Sequence, residues 1–174
     1  MALSEALYPS LCILEVSFRN VLNAEVAGLR SDPEWLQHGT EFLAFNERKA
    51  IENASSTLQK QGKTRTQDNL VSELSFGFWT ALLNKHYETS LWPRLLKSTF
   101  PGCPRIKRTR AVASRRFTEI RRLRNRISHH EPIWYWPLAQ THADVLDALR
   151  WLSPVSTAIA SDMDRFPEVL ARRP

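Results

Sequence analysis

The sequence has little that staples a fold or anchors it in a bilayer. Its 174 residues contain two cysteines, Cys12 and Cys103. Two such distant thiols make no disulfide framework and no zinc-ligand spacing, and free thiols fit a reducing cytoplasm. No apolar run approaches the roughly 20 residues that a membrane-spanning helix needs. The N-terminal stretch MALSEALYPSLCIL carries Glu5, lacks a basic leader and does not read as a signal peptide. Alternating apolar and polar residues, solenoid-length repeats and low-complexity tracts are also missing, which excludes strand-built and repeat architectures. Acidic residues are scarce between positions 105 and 126, where Glu119 is the one acid.

That same segment holds ten basic residues: Arg105, Lys107, Arg108, Arg110, Arg115, Arg116, Arg121, Arg122, Arg124 and Arg126. It carries +9 of a formal net charge of +6, so the rest of the chain is −3. A concentrated positive strip on a mildly acidic body is the electrostatic footprint of a polyanion-binding protein. A solvated, mixed-charge surface helix is the plainer explanation of most charge runs. Ten cations to one acid leave too few partners for salt bridging within this run. Hydrophobic residues make up 43% of the chain, enough for a full core, and the length fits one domain spanning residues 1–174.

Helical periodicity dominates. Leu7, Leu11, Leu14, Phe18 and Val21 recur at three- and four-residue steps and predict an amphipathic helix over residues 8–29, with Glu15 and Arg19 placed as a helical ion pair. Asp32 and Pro33 mark a short helix over 33–38, and a largely polar helix follows over 42–61. Leu70, Leu74, Phe78, Leu82 and Leu83 keep helical spacing after a cap at Asp68 or Asn69. Gly77 inside that run implies a close neighbour or a local irregularity. Trp92 and Pro93 open a short helix to Lys97, and TFPGCPR is a turn. Ala113, Phe117, Ile120, Leu123 and Ile127 form the inward stripe of a basic helix over about 109–130, which Pro132 stops. C-terminal helices occupy about 139–171. The class is all-α.

Residues 121–133 read RRLRNRISHHEPI and carry Arg124, Asn125, His129 and His130. Arginine offers phosphate a planar fork of donors, and histidine transfers protons near neutral pH. No acidic set at metal-ligand spacing surrounds them, so the pattern suits phosphate chemistry without a metal or other cofactor. Arg124 lies beside the buried stripe and needs a partner, for which a carboxylate such as Glu15 is the plain structural alternative. The histidine pair has an equally plain alternative as a helix C-terminal cap. Five residues on a regular helix set Arg124 and His129 about 140° apart. Either the last turn unwinds, or two chains each contribute.

The string at 123–133, LRNRISHHEPI, resembles the R-N-x-x-x-H motif of HEPN (higher eukaryotes and prokaryotes nucleotide-binding) ribonucleases, in the form carried by Abi-like, abortive-infection proteins. Residues 7–22, LYPSLCILEVSFRNVL, and 73–83, ELSFGFWTALL, are similar to two further blocks of that family. The resemblance implies an up-and-down, HEPN-like helical bundle and a metal-independent endoribonuclease whose site is assembled across a homodimer. It implies His129 as general acid or base, Arg124 on the phosphate, Asn125 orienting His129 or bonding the backbone, and His130 as a second proton carrier or a shaper of the helix end. Glu15, Arg19 and Glu131 would support them, and Arg115, Arg116, Arg121, Arg122 and Arg126 would hold RNA. Expected partners are RNA, a second copy of the chain and an antitoxin or regulatory protein, with no membrane. Alternatives are a non-catalytic RNA-binding module of the same fold and a structural or regulatory helical protein. Of the remaining rings, Trp79, Trp92 and Trp151 are expected in the core. Trp134, Tyr135 and Trp136 are expected to pack in the core or a dimer interface ahead of stacking on bases. His38, His86 and His142 are expected at the surface.

Overall fold

The computed structural model describes residues 2–172, and it is all-helical, with no strand among those residues. In chain order the helices are α1 (Ala2–Arg30), α2 (Trp35–His38), α3 (Phe45–Lys60), α4 (Gln67–Glu73), α5 (Phe76–Ala81), α6 (Trp92–Thr99), α7 (Arg110–Ser128), α8 (Leu138–Leu152), α9 (Pro154–Asp162) and α10 (Phe166–Ala171), with a 3-10 turn at Lys85–Tyr87. The chain divides into two compact units, one of Met1–Phe18 with Phe100–Pro174 and one of Arg19–Thr99.

The first unit is built on α7. Its inward stripe of Ala113, Phe117, Ile120, Leu123 and Ile127 is buried, as are Leu7, Leu11, Leu14 and Phe18 of α1. Phe18 and Phe117 pack tilted at 32° with centroids 4.2 Å apart, and Phe100 reaches Phe117 at 5.7 Å and Trp151 edge to face at 6.3 Å. Helix α8 packs on α7 and α9 on α8. Ser17 Oγ donates to Ser156 Oγ at 2.9 Å and so ties α1 to α9. The TFPGCPR turn sits on the end of α8, where the Gly102 amide donates to the Trp151 carbonyl at 3.1 Å. A Cβ on Gly102 would collide with the carbonyl oxygen of Arg150, so only glycine fits.

The second unit gathers Trp35, Leu36, Ile51, Leu58, Leu70, Phe78, Trp79 and Trp92 into its own core. Polar groups within it are satisfied in pairs: Asn23 Oδ1 accepts from Trp35 Nε1 at 2.9 Å and from Gln67 Nε2 at 2.7 Å, and Trp92 Nε1 donates to the Leu82 carbonyl at 2.7 Å. The Tyr87 hydroxyl accepts the Ala44 amide at 3.0 Å, and burial pushes its phenol up to about 12.

Several boundaries differ from those the sequence implies. Helix α1 starts at Ala2 and runs through Pro9, so Pro9 lies inside the helix, where it cannot donate to the carbonyl one turn back. The run expected as one helix to Leu83 breaks at Leu74, whose ψ of 129° is extended, and Ser75 restarts it by capping Phe78. Gly77 thus lies in the first turn of α5. The cap of α4 is Thr66, accepting from the Asn69 amide at 3.2 Å, in place of Asp68 or Asn69. His142 is not a surface residue. It is buried, bonds Asp164 Oδ2 at 2.8 Å and stacks on Phe166 at 4.5 Å. Trp79, Trp92 and Trp151 lie in the cores.

Candidate functional site

Helix α7 starts at Thr109, whose hydroxyl accepts the Val112 amide at 3.2 Å. It remains regular to Ser128, and the His129 amide still bonds the Asn125 carbonyl at 3.0 Å. The last turn therefore does not unwind, and the divergence of about 140° between Arg124 and His129 is retained.

The end of α7 is a Schellman turn. The His130 amide returns to Ile127 at 3.1 Å, and the Glu131 amide to Arg126 at 2.8 Å, with His130 at φ 55°. Helix α3 ends by the same pattern of bonds with Gly62 at φ 69°. Glycine takes that left-handed backbone without cost, whereas a residue with a Cβ sacrifices about 1 kcal/mol. His129 and His130 are both exposed, and neither imidazole takes part in a hydrogen bond or ion pair among the described residues. Asn125, one turn before His129, is exposed on the same face.

Arg124 is drawn to α1. Its Nε lies 2.9 Å from Glu15 Oε2 and its Nη2 3.3 Å from Glu15 Oε1, a forked pair in which Arg124 is 35% and Glu15 17% exposed. Nη1 makes no hydrogen bond among the described residues, so the guanidinium is oriented by Glu15 and keeps one edge for another anion. The expected Glu15–Arg19 ion pair is absent among the described residues, and Glu15 pairs with Arg124. Arg19 Nε is buried with no hydrogen-bond partner among the described residues.

Two further side chains, Tyr8 and Cys12, belong beside this pair, a place the sequence analysis does not assign them. Tyr8, Cys12 and Glu15 follow one another at four- and three-residue steps and share a face of α1. The Cys12 sulfur beside it raises the Tyr8 phenol above its ordinary value, while Arg124 pulls it the other way. The same helical spacing that identifies the buried stripe could have placed Tyr8 and Cys12 on the Glu15 face.

The basic strip contains cations with intramolecular partners and cations without one among the described residues. Arg116 is structural: Nη1 contacts Asp144 Oδ1 at 2.9 Å and the Asp144 carbonyl at 3.1 Å, and its guanidinium lies 5.0 Å from the Trp151 ring centre. Arg108 bonds the Cys103 and Pro101 carbonyls and holds the turn before α7. Arg126 meets Glu131 at 3.2 Å, donates twice to the Pro132 carbonyl at 3.3 Å, and covers Tyr135 and Trp136 at 5.2 and 5.8 Å. Arg122 makes an exposed pair with Glu119 at 2.8 Å, which contributes little to folding. Arg105, Lys107, Arg115 and Arg121 make no ion pair or side-chain hydrogen bond among the described residues. The freely available positive charge is thus smaller than ten cations suggest.

Trp134 and Tyr135 are 68% and 52% exposed. Packing in this chain's own core, one of the two roles expected for them, does not occur. Trp136 is half-buried, and Ile133 and Leu138 anchor the loop on either side. No three His, Cys, Asp or Glu side chains come together as a metal-binding group among the described residues, and none of their helices is long and apolar enough to cross a membrane. Compared with known proteins, the chain matches no family model, no curated protein and no solved structure.

Proposed function

We propose that this chain is a metal-independent endoribonuclease of the Abi-like HEPN type, a cytoplasmic protein acting in phage defence or as a toxin. The observation that carries the reading is the end of α7, an arginine-rich helix closed by a turn that holds two adjacent, exposed imidazoles. His130 occupies a backbone conformation that glycine would fill at lower cost.

In this reading His129 takes the proton from a ribose 2′-hydroxyl or delivers one to the leaving 5′-oxygen. The 2′-oxygen attacks the adjacent phosphorus, the bond from phosphorus to the 5′-oxygen breaks, and the products are a 2′,3′-cyclic phosphate and a 5′-hydroxyl. Arg124, oriented by Glu15, offers Nη1 to a phosphate oxygen and offsets charge developing on it. Asn125 lies one turn from His129 and helps orient it, and His130 is a second proton carrier. Arg115, Arg121 and Arg122 attract the RNA backbone. Because α7 stays regular between Arg124 and His129, a site using both is completed by two chains. That supports a homodimer, and the same reading includes an up-and-down HEPN-like arrangement and an antitoxin or regulatory protein that holds the activity in check.

One observation favours a second reading, a non-catalytic RNA-binding module. The forked Arg124–Glu15 pair is what a purely structural arginine would make. Incubating purified protein with total RNA in EDTA separates the two. Fragments ending in 2′,3′-cyclic phosphate support the nuclease, and intact but bound RNA supports the module.

A further inference from the structure

The loop after α7 presents aromatic faces, and its preparation by Arg126 is the most informative feature outside the proposed centre. Trp134 and Tyr135 stand edge to face, 5.5 Å apart at 88°, and Tyr135 and Trp136 lie 6.5 Å apart at 44°. Exposing two large rings has an unfavourable solvation cost that burial would have removed. The loop is nevertheless well fixed. Its backbone closes from the Trp136 amide to Ile133 at 3.0 Å, Pro132 and Pro137 flank it, and Ile133 is buried. Arg126 bonds the Pro132 carbonyl and Glu131 while covering Tyr135 and Trp136, so one side chain of the basic helix sets the pose of the rings. The apolar surface is therefore continuous with a helix whose exposed cations suit an anion.

We propose that Trp134 and Tyr135 form a base-stacking platform for unpaired RNA, with Arg126 and Trp136 as positioning residues. This rests on the RNA reading above and narrows its substrate to single-stranded segments. Rings of any base stack on such faces, whereas a paired base within a duplex has none to offer. Charge complementarity selects a polyanion over a neutral apolar partner.

The test measures binding of the whole protein to a single-stranded oligoribonucleotide, to the same length of abasic backbone and to a duplex. Trp134→Ala with Tyr135→Ala should weaken single-strand binding roughly ten- to a hundredfold and leave abasic binding unchanged. Trp134→Phe, which keeps a π-face, should retain more affinity than Trp134→Leu. Equal single-strand affinity in wild type and the double variant would overturn the platform while leaving the RNA reading intact. Failure of wild type to bind either single-stranded ligand would overturn both. Conversion of a dimer to monomer by the double variant, with single-strand affinity unchanged, would instead assign the rings to an interface between copies.

Discussion

A histidine in the left-handed region is a concession that the rest of α7 does not require. At φ 55°, His130 closes the same turn that Gly62 closes after α3 without strain. His130→Gly should relieve the folded backbone more than it loosens the unfolded chain, for a net gain of roughly 0.5 kcal/mol. Urea titration would measure it, and a loss of stability would show that the imidazole has a packing role. Tyr87 gives a second residue-scale expectation. Burial raises its phenol from 10.0 to about 12, so the folded chain holds the neutral form after the unfolded chain has begun to ionise. The resulting stability is complete below pH 10, shrinks as the pH climbs from 10 towards 12 and is lost beyond it. Unfolding compared at pH 8 and pH 11 should show that loss in wild type and less of it in Tyr87→Phe. Identical alkaline losses would assign the effect to other groups.

Among the elements, α7 divides its arginines by face, and the consequences of removing them should divide likewise. Arg116→Gln breaks the contacts to Asp144 and should destabilise the fold by about 2 kcal/mol. Arg115→Gln with Arg121→Gln should leave stability nearly unchanged and reduce the log-log salt slope of RNA binding by about 1.4. A slope unchanged by the double substitution would contradict the assignment of these two cations to RNA. The stripe of α7 was legible because its apolar residues recur within four positions, and α8 was legible for the same reason. The break at Leu74 was not, since Leu70, Leu74 and Phe78 keep helical spacing through an extended residue. Helix α1 starts at Ala2, ahead of the apolar stripe that begins at Leu7, so its first turn has no such pattern to mark it. Glu15 shows both outcomes: pairing with Arg124 was foreseeable as the structural alternative, yet its nearer neighbour Arg19 had also been assigned to it. His142 was misplaced because its partner Asp164 lies in the segment between α9 and α10, which no local pattern connects to α8.

At the scale of the whole molecule, the proposed reaction demands something that one regular helix does not provide. Arg124 is directed to Glu15 on α1, while His129 is exposed at the end of α7, about 140° further round. Two chains related by a two-fold axis can present the two groups to one cleft. Mixing inactive Arg124→Ala with inactive His129→Ala protein should then restore part of the activity, whereas no recovery across a range of mixing ratios would place both residues in one subunit. The central claim is that an imidazole at this helix end performs proton transfer on RNA without a metal. It is tested most directly by measuring cleavage, affinity and melting temperature of wild type and His129→Ala in EDTA with the same RNA. The expected result is cleavage by wild type, a loss of about 10²- to 10⁴-fold in rate on substitution, and nearly unchanged affinity and melting temperature. Intact RNA after incubation with wild type, or cleavage by His129→Ala at the wild-type rate, would contradict it.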